Sequence, residues 1–292
     1  MSRSFQVKVE GKISSQKSIL AGTAQGAVIS PTLYNIYIAS MPRYFAKCYQ
    51  YADDTAYLTS ATTTKGAVML MNHQLKQLEQ WCLKWKTKIN PLKSTAIAMQ
   101  GCRKLKLIKL KYGKEEIPLA SKAKYLGVDI DKGLKFKPHI EETVKKCKQK
   151  TASLCRFITA KSHLSLKTKI LYKTLIEPTI TYGLPAWDGA NDTLWDKLLK
   201  IERKWTRIML GISKFTSNIT TNALRPFKGL IAIRDEISQK TKKENESHPN
   251  PLVTSTYSIF KGPAKYPHER LEPKRPELNL DSENESDYLS AD

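Results

Sequence analysis

The chain has 292 residues, with 49 Lys+Arg against 27 Asp+Glu and a formal charge of +22. That length allows one large domain or two smaller ones with a sizeable core, and the charge exceeds what solubility needs, which favours a polyanionic partner such as nucleic acid or an acidic membrane face. No apolar run approaches the roughly 18 residues of a membrane span, no signal-peptide core opens the chain, and five scattered cysteines without a C-x-x-C pair argue against a disulfide framework or a zinc site.

In chain order, F-Q-V-K-V alternates up to a turn at Glu10-Gly11, and I-L-A-G is expected to return as the second strand of a hairpin. Ser30 and Pro31 suit the N-cap and first position of a helix carrying Leu33, Tyr34, Ile36, Tyr37 and Ile38 and ending by Pro42. The segments K-C-Y-Q-Y and T-A-Y-L-T flank Ala52, Asp53 and Asp54, which places the two acids at a hairpin bend. Val68, Met71, Leu75, Leu78, Cys82 and Trp85 then recur at helical spacing behind three threonines that can cap, and Asn90-Pro91 is expected to stop that helix. Short strands are expected at S-T-A-I-A-M, K-L-K-L-I-K-L-K and Y-L-G-V-D-I.

From residue 134 the pattern is helical. Ile140, Val144, Cys147, Thr151, Leu154 and Ile158 form one stripe, and Leu194, Leu198, Ile201, Trp205 and Ile208 form another. Between them an apolar helix is interrupted at Pro178. Cys82, Cys147 and Cys155 fall on helix faces expected to be core. Beyond Asp235 the composition turns to charge, Pro and Ser, ending in an acidic stretch without Lys or Arg, which predicts a disordered tail over 235–292.

Two adjacent carboxylates at a hairpin bend suit a hard cation, because Mg2+ takes oxygen ligands and usually only one or two carboxylates, with phosphate oxygens and water completing its shell. Upstream lies A-G-T-A-Q-G-A-V-I-S-P, in which Gly22 and Gly26 permit close backbone approach; downstream come N-P-L-K-S and Y-L-G-V. These four spaced motifs resemble, over roughly residues 3–212, the reverse transcriptase of a non-long-terminal-repeat (LINE-type) retrotransposon, most similar to the jockey type.

The resemblance implies an α+β fold: a partial polymerase palm (antiparallel sheet with packed helices) at 1–133, an all-helical thumb-like or connection region at 134–234, and the disordered charged tail. It implies RNA-directed DNA polymerase activity in the parent enzyme, a nucleotidyl transfer that uses two Mg2+ or Mn2+ ions. RNA template, DNA primer or target and dNTP are the implied partners, with no membrane. Carried onto this sequence, Asp53 and Asp54 match the catalytic, metal-binding pair, and Lys93 matches a lysine near the triphosphate. Gln25, Gly26, Ser30, Tyr51 and Ala52 would line the nucleotide and template pocket, and Leu126 and Gly127 would form the primer grip. Lys104, Lys106, Lys109 and Lys111 are candidates for the nucleic-acid backbone. The family's first catalytic aspartate and its fingers region have no counterpart in these residues, since Glu10, the only acid before Asp53, sits at a turn. The chain alone is therefore expected to be inactive, with an upstream palm or fingers segment as a possible partner in trans. The alternative is a non-catalytic nucleic-acid-binding remnant using those lysines and others of residues 135–150. The family's way of life implies nuclear or cytoplasmic residence; no targeting signal was read.

Overall fold

A computed structural model describes residues 3–19, 22–24, 26–99, 109–158, 164–249 and 254, with backbone only at 155–158 and 164–167. Its contacts divide the chain into two compact units, Met1–Ala96 with Cys102–Leu119, and Ile97–Gly101 with Ala120–Asp292.

In the first unit β1 (Arg3–Phe5) pairs antiparallel with β4 (Lys17–Ile19), and inside that arch β2 (Lys8–Val9) pairs with β3 (Lys12–Ile13). The two-residue turn Glu10-Gly11 has φ of 48° and 80°, the paired left-handed conformation that matches strand twist in tight hairpins. This bears out the expected hairpin; Leu20 and Ala21 of its return strand lie outside the described residues.

Helix α1 covers Ser30–Ile38 with Pro31 in its first turn. Ser30 is already helical and Ile29 is the N-cap; the Ser30 hydroxyl donates instead to the Ala24 carbonyl at 2.6 Å. The expected Ser30 cap is thus corrected: its oxygen is committed to closing the preceding loop. Strands β5 (Lys47–Tyr51) and β6 (Asp54–Leu58) form a hairpin. Helix α2 (Thr64–Trp85) begins as expected from a threonine cap, Thr63, whose side chain accepts from the Gly66 amide. It stops before Asn90-Pro91, however, because Lys86 turns left-handed at φ 54° and returns its amide to the Cys82 and Leu83 carbonyls. Asn90 then caps a separate 3-10 turn over Pro91–Lys93.

Leu75, Leu78, Trp81 and Cys82 of α2 are the buried centre of this unit, packed by Tyr37, Met41, Tyr57, Met71 and Tyr112. Trp85, expected on that stripe, is 40% exposed and meets Tyr37 edge-on. Gln74 is fully buried, donating to the Pro42 carbonyl at 2.7 Å and accepting from the Phe45 amide at 3.0 Å. Short strands β7 (Ala96–Ile97), β8 (Lys111–Tyr112), β9 (Glu115–Glu116) and β10 (Leu119–Ala120) follow. Most of the expected strand at 104–111 lies outside the described residues.

In the second unit β11 (Lys122–Tyr125) and β12 (Val128–Asp131) form a hairpin around Leu126-Gly127, where a single strand segment was expected. Helix α3 (Lys137–Ile158) buries Ile140, Cys147 and Thr151 as its spacing predicts; the side chains of Cys155 and Ile158 lie outside the described residues. Helix α4 (Leu164–Leu171) widens into a π turn at Tyr172–Ile176 and continues as α5 (Glu177–Thr181) with Pro178 in its first turn. That is the expected interruption: a proline ring clashes with the carbonyl four residues earlier, and the wider turn makes room. Short α6 (Leu184–Trp187) leads to α7 (Asp192–Leu210), which buries Leu194, Leu198, Ile201 and Trp205, with Met209 rather than Ile208 closing the stripe.

After α8 (Asn218–Ala223), α9 runs Leu230–Glu246. Residues 235–246, expected to begin the disordered tail, are thus helical: Ile237 packs on the core and the Ser238 hydroxyl donates to Asp188 at 2.7 Å. Residues 255–292 lie outside the described ones. Among the described residues the strands form two-stranded sheets only, where the resemblance implied a larger antiparallel sheet. The edges of β5–β6 stay unpaired because no third described strand is in register with them.

Candidate active site

The two carboxylates sit where the flanking strand patterns placed them. Tyr51 pairs with Asp54 across the ladder, so Ala52 and Asp53 are the whole turn, and Asp54 is the first residue of β6. Ala52 has φ of 50°, a left-handed conformation that costs a side-chain-bearing residue about 1–2 kcal/mol. Tyr51, Ala52, Asp53 and Asp54 are all exposed. The opposite face of the ladder is packed: Cys48 lies across from Tyr57, whose hydroxyl donates to the Pro42 carbonyl at 3.0 Å, and burial raises the pKa of both groups. A packed underside with an outward tip is what holds two acids facing solvent.

Helix α1 lies beside this tip. The Tyr34 phenol is pushed up by its partial burial and then by the negative charge of Asp53. The loop before α1, closed by Ser30 on Ala24, contains Gly26 at φ 86°, exposed with no atom near a would-be Cβ. The structure therefore brings the Gly26–Ser30 segment's helix and the Asp53 turn together. Gln25 lies outside the described residues. Lys93 is exposed on its 3-10 turn and makes no ion pair with Asp53 or Asp54 among the described residues.

Leu126 and Gly127 belong to the second unit. Their φ values of 45° and 81° make a tight turn, and the Tyr182 hydroxyl donates to the Leu126 carbonyl at 2.9 Å. A Cβ on Gly127 would come within 2.8 Å of the Tyr182 ring, and one on Gly183 within 2.7 Å of Val128. Sequence reasoning missed Tyr182 and Tyr34, because no local pattern marks either as the neighbour of a turn far away in the chain.

Lys109 and Lys111 are exposed on a segment clamped by Asn72, whose amide donates to the Lys109 carbonyl and accepts from the Lys111 amide, both at 3.0 Å. Lys104 and Lys106 lie outside the described residues.

The motif resemblance implies a divalent ion. Asp53 and Asp54 offer oxygen ligands of the right kind, yet among the described residues no group of three His, Cys, Asp or Glu could hold an ion. A cation pair, which needs ligands bridging both ions, does not fit the described residues by themselves.

The family described as "Reverse transcriptase (RNA-dependent DNA polymerase)" matches residues 1–130. The "Probable RNA-directed DNA polymerase from transposon BS" of Drosophila melanogaster is 28% identical over 259 residues, covering 84% of this chain and 28% of that protein. The "RNA-directed DNA polymerase from mobile element jockey" of Drosophila funebris is 29% identical over 270 residues, 86% of this chain and 28% of that protein. The "Probable RNA-directed DNA polymerase from transposon X-element" of Drosophila melanogaster is 28% identical over 263 residues, 87% of this chain and 28% of that protein. The chain thus spans 28% of the length of each of these relatives. No solved structure matches at a significant level. The Q-G and Y-A-D-D motifs stand in order inside the matched span, so residues 1–130 match the reverse transcriptase family and the chain is similar to the polymerases of jockey-like mobile elements.

Proposed function

We propose that this chain contributes the carboxylate hairpin, part of the nucleotide-side wall and the primer-side turn of an RNA-directed DNA polymerase, and that it does not synthesise DNA by itself. The observation that carries the reading is the exposed Asp53–Asp54 tip beside α1, with the charge of Asp53 felt at Tyr34. In the family the chemistry is nucleotidyl transfer assisted by divalent metal, with RNA template, DNA primer and dNTP as substrates. In this reading Asp53 and Asp54 supply oxygen ligands, Gly26 leaves room for the incoming nucleotide, and Lys93 offers a cation to the triphosphate. Leu126-Gly127, backed by Tyr182, supports the primer end, and the first unit is the palm's share of the chain.

The lack of self-sufficiency follows from coordination: two carboxylates on one turn offer too few oxygens for a pair of ions. The loss of a metal-bridging ligand is worth on the order of a thousandfold in rate. Primer extension on poly(rA)·oligo(dT) with Mg2+ or Mn2+ tests this. The purified chain is expected to give no product above background, and synthesis abolished by Asp53→Asn would overturn the claim of inactivity. Synthesis restored by adding a polypeptide from the other part of a jockey-type polymerase would support the assignment of the hairpin.

A further inference from the structure

Residues 277–292 read E-L-N-L-D-S-E-N-E-S-D-Y-L-S-A-D, with six acids and no Lys or Arg in a chain of net charge +22. Within them Asp281, Glu283, Glu285 and Asp287 alternate with Ser282, Asn284 and Ser286, and no Gly or Pro interrupts the run. In an extended chain this period of two sets four carboxylates on one side at a repeat of roughly 6.5–7 Å. A row of that kind calls for a row of cations of similar spacing.

The second unit offers one. Strand β11 exposes Lys122 and Lys124 on one face, two positions apart and so roughly 6.5 Å along the strand. Helix α3 exposes Lys137 and Lys145, eight positions and so roughly 12 Å apart along the helix, about twice the carboxylate repeat. Lys122, Lys137 and Lys145 line a common depression with Pro138, Glu141 and Glu142. The loop between strand and helix is built rather than slack. One Asp131 carboxylate oxygen accepts from the Phe136 amide at 2.7 Å, and the other accepts from the amides of Gly133 at 3.1 Å and Lys135 at 3.3 Å. Glu141 is paired with Lys197 at 2.8 Å, leaving Glu142 as the acid of the depression. Lys122, Lys124, Lys137 and Lys145 are in no ion pair among the described residues.

We propose that residues 281–287 dock in extended form onto the depression between β11 and the start of α3, with Asp281, Glu283, Glu285 and Asp287 set against Lys122, Lys137 and Lys145. The segment reaches: the chain between Thr254 and Asp281 spans up to about 90 Å when fully extended, against a width of roughly 40 Å for a unit of this length. A single exposed ion pair contributes little. Four carboxylates on a tether do more, because the tether holds them near the lysines at an effective concentration on the order of millimolar. The segment is therefore a built-in competitor that any free polyanion has to displace. An apolar occupant is disfavoured, since among the described residues no large hydrophobic from Ala120 to Leu154 is strongly exposed.

The inference does not rest on the polymerase reading, and its test reads binding rather than synthesis. A fluorescein-labelled peptide of residues 276–292 is titrated with the full chain by anisotropy at about 50 mM salt. The wild-type chain, whose own segment fills the depression, should bind it at least about tenfold more weakly than the full-length variant Asp281→Asn, Glu283→Gln, Glu285→Gln, Asp287→Asn, whose depression is open. Adding Lys122→Ala, Lys137→Ala, Lys145→Ala to that variant should abolish peptide binding, and Lys→Arg at the same three positions should keep it. Lys240→Ala, Lys242→Ala, Lys243→Ala on α9 should leave it unchanged. A peptide of the same composition with its four acids contiguous should bind more weakly, because the repeat is lost.

In the wild-type chain a water-soluble carbodiimide, which joins a lysine amine to a carboxylate as an amide and takes up the water as its urea, should link residues 281–287 to Lys122, Lys137 or Lys145. Equal peptide affinity of the wild-type and neutralised chains, binding that survives the lysine triple, or couplings confined to other lysines would each overturn the inference. So would an oligonucleotide that binds through these three lysines equally well before and after neutralisation, since the depression would then stand open to nucleic acid. Each of these failures leaves the polymerase reading standing.

Discussion

Gly127 shows how one residue ties a turn to its support. At φ 81° an alanine is strained in any surroundings, and here its Cβ would also lie 2.8 Å from the Tyr182 ring. Gly127→Ala is expected to destabilise the second unit by about 1–3 kcal/mol in urea unfolding. In a Tyr182→Ala background part of that loss should vanish, and the size of the coupling measures the contact. A fully additive pair would show that Tyr182 does not back the turn. His139 makes a pH-dependent contribution. It is buried beneath β12, and burial first, then Lys146 and Lys124, lower its pKa, against an opposing effect of Asp129. The folded state therefore binds this proton less readily than the unfolded chain. The contribution is intact above the ordinary histidine value near 6.5 and is lost as pH falls from there through the lower folded value. Urea midpoints between pH 7.5 and about 5 should decline for the wild type and decline less for His139→Gln. Equal slopes would remove His139 from the explanation.

At the scale of elements, α9 is held by a residue from another helix. Glu202 of α7 is 1% exposed; one carboxylate oxygen accepts from the Leu230 amide at 2.7 Å and the other meets Arg225 at 3.2 Å. Leu230 opens α9, whose N-cap Gly229 has no side chain to offer, so the buried acid does the capping and faces the positive end of the helix. Burial raises its pKa while the Leu230 amide, Arg225 and Arg203 oppose that rise. Glu202→Ala leaves a buried amide and a partly buried guanidinium without a partner and should destabilise by about 3–5 kcal/mol. Glu202→Gln keeps an acceptor for the amide and should lose less. Thermal melts followed at the helical circular-dichroism band decide between them, and equal losses would refute the capping role. The periodic stripes of α2, α3 and α7 were legible because one face of each helix is core. The stop at Lys86 was not: any residue can take the left-handed cap at some expense, and lysine carries no mark of it. The charged run after Asp235 was misread for a similar reason, since composition does not show that Leu230, Ile237 and Ser238 find partners.

Across the whole molecule the two units are unequally supported. The first has four buried apolar residues at its centre, Leu75, Leu78, Trp81 and Cys82, whereas the cluster of the second runs from Val128 to Leu230 and includes the fully buried Tyr172, Trp187 and Trp205. Apolar burial is the main stabilising term, so local opening should be easier in the first unit. Hydrogen exchange is expected to be fastest in β1–β4 and in the β5–β6 hairpin and slowest around Leu198–Trp205 of α7. Equal protection of β5–β6 and α7 would contradict this reading. Among the described residues no helix is long and apolar enough to cross a membrane.

The sequence by itself determined the family likeness and the place of the two adjacent acids. A period-two pattern on each side of Ala52-Asp53 admits only a bend there, and ordered motifs keep their meaning in any packing. It also set which helix faces are buried, because 3.6-residue periodicity is a local property. Tertiary structure alone decided that Tyr34 stands beside Asp53, that Tyr182 backs the Leu126 turn, that Glu202 caps α9, and that lysines from a strand and a helix line one depression. Those relations join residues far apart in the chain, and their energies depend on distance and burial, which no local pattern encodes.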